Sequence, residues 1–171
     1  MTILETERLR LREVTFADAV FIVRLLNDPA WLEFIGDRGV RTEEDARTYL
    51  TNGPLKMQRE HGFALWVVEG KADGAATGVC GLLQRPALDD VDLGYAFLPE
   101  FRGRGLAREA AAAVLAHGAR VHGLRRIIAL TAPNNASSIR VLEALGFTFE
   151  RTLPFPTAAD MSHVFAWAAP A

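Results

Sequence analysis

The chain has 171 residues, half of them hydrophobic and under a quarter charged; this excludes disorder and gives enough length to bury a core in one domain, expected to span 1–171. Nineteen basic residues against 21 acidic ones leave a formal charge of −2, too weak a field for duplex nucleic acid or an anionic membrane. The single cysteine, Cys80, sits in an apolar run, which excludes an internal disulfide and a thiolate zinc site; no apolar run has signal-peptide or membrane-spanning length, so the protein is expected in the cytoplasm.

Residues 4–14 alternate Leu9 and Leu11 with arginines and predict a first strand with one wet face, its arginines pointing to solvent. Thr15 and Asp18 form a capping pair for a helix that runs to about Asp28, where Asn27-Asp28-Pro29 stops it. Residues 30–41 show neither period and predict a loop or short irregular helix. Thr42, followed by Glu43, Glu44 and Asp45, caps a second helix that pauses at Gly53-Pro54, resumes to Glu60 and ends at Gly62. Strands at 63–69 and 76–83 make a hairpin.

Residues 91–98 alternate again, with Val91, Leu93, Tyr95 and Phe97 on one face and Asp92, Gly94 and Ala96 on the other, and Pro99 ends the strand. A helix starting near Gly105, with the stripe Ala107, Ala111, Val114, Gly118, Val121, leads to a buried strand at 126–131, which makes the two strands parallel. Asn135 caps a further helix whose stripe is Ile139, Leu142 and Leu145, and Gly146 follows it. Strands at 148–152 and 161–168 close the chain.

Between the central strand and its helix, the turn Arg102-Gly103-Arg104-Gly105-Leu106-Ala107 predicts an anion site. The first amides of a helix lack internal partners and carry the positive end of its dipole, glycines let a phosphate come close, and two guanidinium groups would add to the pull. A glycine-softened connection with two solvated arginines is the alternative. The turn is neither a Walker A loop nor a dinucleotide fingerprint.

Arg102, Gly105 and Ala107 match position by position the Arg/Gln-x-x-Gly-x-Gly/Ala motif that binds pyrophosphate in the GNAT superfamily of acyl-CoA-dependent N-acetyltransferases, and the turn resembles it. Asn135-x-x-Ser138 followed by Gly146-Phe147 is similar to the closing motif of the branch that acetylates N-terminal amino groups of ribosomal proteins. Thr6-Glu7-Arg8-Leu9, Asn27-Asp28-Pro29, Gly94-Tyr95 and Glu109-Ala110 look like that branch in order and spacing, so the resemblance covers most of the chain.

The resemblance implies an α/β (α+β) GNAT fold: a mixed, mostly antiparallel sheet of six to seven strands flanked by about four helices, with the fourth and fifth strands (91–98 and 126–131) splayed to admit acetyl-CoA. It implies that Phe97 and Leu98 lie beside the pantetheine arm. The amides of Gly103, Arg104, Gly105, Leu106 and Ala107 would hold the pyrophosphate with Arg102, Asn135 would reach the pantetheine, and Ser138 would lie near the thioester sulfur.

The chemistry asks for a neutral amine and for a proton on the departing thiolate. An α-amino group has a pKa of about 8 and needs modest help to lose its proton. Asp92 is the candidate base, acting through water; the branch usually carries Glu there, one methylene longer. With no tyrosine after Tyr95, Ser138 takes the acid role by elimination, and a backbone amide near Leu98 would steady the oxyanion. A solvated Asp92 and an ordinary first-turn Ser138 are the bland alternatives.

Trp31, Phe34, Tyr95 and Phe155 are expected to contact the acceptor, and an acidic groove near Glu33, Asp37 and Asp160 would favour a cationic one. His61, His117, His122 and His163 show no ligand spacing, so no metal is expected. The expected activity is direct transfer of acetyl from acetyl-CoA to a primary amine: a protein N-terminus, or alternatively a small amine such as an antibiotic, polyamine or amino acid. A CoA-sensing domain without turnover and an unrelated nucleotide binder are the competing classes, and a homodimer stays open.

Overall fold

A computed structural model describes residues 1–154 and 161–171. It has one sheet of eight strands, in the spatial order β1 (Thr2–Glu5), β2 (Leu9–Arg12), β3 (Leu65–Gly70), β4 (Ala76–Leu83), β5 (Asp92–Phe97), β6 (Arg126–Thr131), then β8 (Ser162–Ala168) and β7 (Thr148–Leu153). Every neighbouring pair is antiparallel except β5 and β6. Among the described residues, six α-helices accompany it: α1 (Ala19–Leu26), α2 (Pro29–Phe34), α3 (Glu43–Asn52), α4 (Pro54–His61), α5 (Leu106–His122) and α6 (Ala136–Ala144).

The strand and helix counts exceed the expected ones for local reasons. The run predicted as one strand over 4–14 folds back at Thr6, whose amide donates to the Leu9 carbonyl at 2.9 Å, and becomes the pair β1–β2. Pro29 and Pro54 each stand at the first position of a new helix, where a missing N–H costs nothing, so α2 and α4 are separate helices. The capping boxes at Thr15–Asp18 and Thr42–Asp45 form, and Gly62 ends α4 with φ +76°.

The two larger hydrophobic cores lie on opposite faces of the sheet. Leu11, Trp66, Leu82, Leu93 and Ile127 pack beneath α5, with Val114 of that helix fully buried. Val67 and Val79, from the other face, pack with Ile22, Leu25 and Leu50 of α1 and α3. Period-two alternation therefore sends Trp66 and Val67 into different cores, as a doubly covered sheet requires.

Some expected exposures change. Arg12 is not solvated: its guanidinium bridges Asp18 at 2.8 Å and Glu69 at 2.6 Å. Val121, placed on the buried stripe of α5, is 55% exposed, while His122 in the same turn packs edge-on against Phe63. His117 packs on Trp66 in the same way, so these two rings are ring-packed rather than solvated. Cys80 is fully buried, and burial pushes its thiol well above the usual range.

Candidate active site

β5 pairs with β4 from Asp92 to Phe97, but with β6 only at Asp92 opposite Ile128, where the Ile128 amide donates to the Val91 carbonyl at 3.0 Å. Beyond that point the two parallel strands part. A cavity of about 1100 Å³ runs through the opening and reaches both faces of the sheet. Phe97 lines it. Leu98 does not: its side chain is buried in the α1–α3 core and its amide donates to Thr77 O at 2.9 Å, so it is not available to an oxyanion.

After Leu98 the chain makes a 3-10 turn at Pro99–Phe101, and then Gly103 (φ +73°) and Gly105 (φ +75°) adopt the left-handed conformation that other residues resist, before Leu106 opens α5. Gly103, Gly105, Leu106 and Ala107 face the cavity at the start of this 17-residue helix. That arrangement offers backbone amides and the positive helix end to a phosphate. Arg108 also lines the cavity, one residue past the motif read from the sequence.

The two arginines of the turn each have partners within the protein. Arg102 lines the cavity, but its Nε donates to Phe97 O at 2.9 Å and its guanidinium is bound to the buried Asp28 carboxylate. It ties the turn to the end of β5 and to the start of α2, where Asp28 also caps the helix through Ala30 N. Arg104 does not line the cavity, and its guanidinium lies 5.8 Å from the Phe101 ring centre. Its carbonyl accepts from Arg8 Nη1 at 2.9 Å, and Arg8 Nε in turn donates to Glu109 at 2.6 Å, with Thr6 Oγ1 donating to the same carboxylate. Thr6, Arg8 and Glu109 thus brace the glycine turn from behind.

On the α5–α6 face, Asn135 caps α6 by accepting the Ser138 amide at 3.2 Å. The Tyr95 hydroxyl lies 2.8 Å from Ser138 Oγ and 3.3 Å from Ser138 O, so two residues assigned to different tasks from the sequence form one hydrogen-bonded pair. Burial pushes the Tyr95 phenol up to about 12, so it is a neutral O–H donor at neutral pH. Asn135, Ser138 and Tyr95 all line the cavity.

On the α3 face lies Asp92. It is 1% exposed, and Arg85 Nε donates to its Oδ1 at 3.1 Å. Burial raises its pKa to about 6, against the opposing pull of Arg85. Arg85 was not singled out from the sequence; the β4–β5 register, which sets Leu83 opposite Asp92, would have placed it two residues further along. Trp31 and Phe34 line this side, with Trp31 Nε1 donating to Gly36 O at 3.1 Å. Tyr49 and Arg38, also missed, line it too. Phe155 and Asp160 fall outside the described residues. Glu33 and Asp37 do not line the cavity, and Asp37 is paired with Arg41 at 2.6 Å, so no acidic groove forms there among the described residues.

No group of three or more His, Cys, Asp or Glu among the described residues is placed to hold a metal ion, and no helix among them is long and apolar enough to cross a membrane. His163 packs edge-on against Phe149 and lies tilted to Phe165, and it does not line the cavity.

A glycine turn on a helix N-terminus beside a half-unpaired parallel strand defines an acyl-CoA cleft. Residues 8–148 match the Acetyltransferase (GNAT) domain, and the chain belongs to that family. It is 31% identical over 155 residues to the uncharacterized protein YkkB of Bacillus subtilis (strain 168), covering 89% of this chain and 88% of that one. Its structure is similar to that of a GNAT-family acetyltransferase from Bacillus anthracis, with a TM-score of 0.78 at 26% identity over 98% of both chains. It also shares its fold with RimL, a ribosomal L7/L12 α-N-protein acetyltransferase solved in complex with coenzyme A, with a TM-score of 0.84 at 19% identity over 98% of both chains. The protein is an acyl-CoA-dependent acetyltransferase that takes acetyl-CoA as cosubstrate and an amine as acceptor.

Proposed function

We propose that the acceptor is the free amino group at the N-terminus of a protein or peptide. The observation that carries the reading is the position of two proton-handling sites on opposite faces of β5, joined by one cavity: Asp92 on the α3 side and Tyr95–Ser138 on the α6 side. The acceptor wall continues from Asp92 past Tyr49 to Trp31 and Phe34, which gives room for residues beyond the amine. The fold shared with RimL supports the same choice.

Acetyl-CoA supplies the acetyl group as a thioester. The chain's own residues bind, orient and move protons. The open edge of β5 and the amides from Gly103 to Ala107 fit its pantetheine and pyrophosphate, with Arg102 holding the turn in shape. Asp92, with a pKa of about 6, is mostly ionised at pH 7 yet a stronger base than an ordinary carboxylate, and it takes the proton that the amine loses. The proton needed by the departing sulfur comes from the Tyr95–Ser138 pair. The phenol is the more acidic hydroxyl, so Tyr95 gives the proton while Ser138 orients it, which adds Tyr95 to the role read for Ser138 alone.

Calorimetric titration with acetyl-CoA, CoA and ATP, followed by thiol release on a panel of peptides and small amines, tests the reading. Binding of CoA and acetyl-CoA well above ATP, with thiol release fastest on peptides, is expected. Equal affinity for ATP and CoA, or release on small amines alone, would contradict it.

A further inference from the structure

The acceptor end of the cavity carries a charge that proton transfer does not use. Asp92 is held by Arg85. Asp45 also borders the cavity, but it accepts the amides of Arg41 at 3.0 Å and Thr42 at 2.9 Å, and it lies in the first turn of α3, where the helix dipole offsets its charge. Arg38 borders the same end from the loop between α2 and α3, and among the described residues no hydrogen bond or ion pair engages its guanidinium. The acidic residue beside it, Asp37, is already bound by Arg41 through both oxygens, at 3.0 and 2.6 Å. Tyr49 lines this end too. Burial keeps its phenol protonated, and Arg38 and Arg85 both act on it electrostatically, which places the three groups around one volume.

We propose that Arg38 and Tyr49 form a carboxylate subsite, so that the acceptor is a primary amine carrying a carboxylate a few bonds from its nitrogen. The planar guanidinium matches a carboxylate with two parallel N–H donors, and the Tyr49 hydroxyl supplies a third. Asp92 on the neighbouring strand receives the amine, so the two ends of the acceptor are read by opposite charges. The proposal rests on the acetyl-transfer reading of the cavity. The same chemistry is met by the α-carboxylate of a free amino acid or by an Asp or Glu side chain close to a peptide N-terminus.

The test is a calorimetric titration of the full chain, saturated with CoA, with two matched pairs of ligands: alanine against alaninamide, and the peptide Ala-Asp-Phe-amide against Ala-Asn-Phe-amide. Affinity decides, because the amide also changes the pKa of the amine. The carboxylate member of at least one pair is expected to bind about 10- to 100-fold tighter than its amide, the range of a charge-assisted contact, and the pair that shows it names the source. Arg38→Ala, a change at an exposed loop position, should bring that ratio to near one; Arg38→Lys should keep part of it, and Tyr49→Phe should reduce it several-fold. A ratio near one in both pairs, a ratio that survives Arg38→Ala, or no binding of any of the four ligands at millimolar concentration would overturn the subsite. Thiol release in the same mixtures, with acetyl-CoA in place of CoA, separates the two claims. Ligands bound with the carboxylate preference that release no thiol retain the subsite and remove the transfer reading; acids and amides turned over alike, with no dependence on Arg38, do the reverse.

Discussion

The two walls of the cavity are made in different ways. The CoA wall is largely backbone: the unpaired edge of β5, two left-handed glycines and the first turn of α5, all within residues 92–108. The acceptor wall is side chains drawn from distant segments, with Trp31, Arg38 and Tyr49 brought against Arg85 and Asp92. Backbone donors are present whatever the side chain, so the first wall tolerates variation in sequence and needs only the right φ and the right helix start. The second wall depends on the identity of each residue, which is where acceptor choice can change while the cofactor end stays fixed.

If that division holds, substitutions on the two walls should separate catalysis from CoA binding. The largest effect is expected from Asp92→Asn, which keeps the shape and the contact with Arg85 but removes the base. kcat/KM for the amine should fall by a factor on the order of 10²–10⁴, with acetyl-CoA affinity unchanged by calorimetry. A parallel loss of acetyl-CoA affinity would mean that the two walls are one unit.

Tyr95→Phe comes next. It removes the hydroxyl beside Ser138 but leaves Ser138 and water, so kcat at saturating substrates should fall about 10- to 100-fold with little change in the KM of the amine. Unchanged kcat would return the proton to Ser138 alone, and Ser138→Ala would then carry the loss.

The smallest effects test the CoA wall. Arg102→Ala releases the turn from Phe97 O and leaves the buried Asp28 without its cation, so acetyl-CoA should bind roughly tenfold more weakly and the protein should lose about 1–3 kcal/mol in urea denaturation. Arg104→Ala should change that affinity by no more than about twofold, because its side chain faces Phe101 and solvent. Equal losses from both would restore a direct phosphate contact for the pair.

What was legible in the sequence follows the same division. The strand, turn and helix around Arg102–Ala107 could be read because Pro99, Gly103 and Gly105 impose local conformations, and Asn135 could be read because a cap acts within three residues. The Arg102–Asp28 pair could not be read because the two residues stand 74 positions apart, and a guanidinium on a glycine turn looks the same whether it meets a phosphate or a carboxylate. Asp92 alternates with Leu93 as a wet-face residue should, and nothing local in the sequence marks it as a buried group with a raised pKa. Tyr95 and Ser138 were each picked out, but their contact spans 43 residues and no spacing rule encodes it.

The most direct test of the central claim is the pH profile of kcat/KM for the amine in the wild-type protein and in Asp92→Asn. The base must be ionised and the amine neutral, so for the wild type log kcat/KM should rise with a slope near 2 below the Asp92 pKa of about 6. The slope should ease to near 1 up to the amine pKa of about 8 and flatten above it. Asp92→Asn should show a slope near 1 throughout the range below pH 8, with no break near 6. A break near 6 that persists in Asp92→Asn, or that is missing from the wild type, would contradict Asp92 as the base.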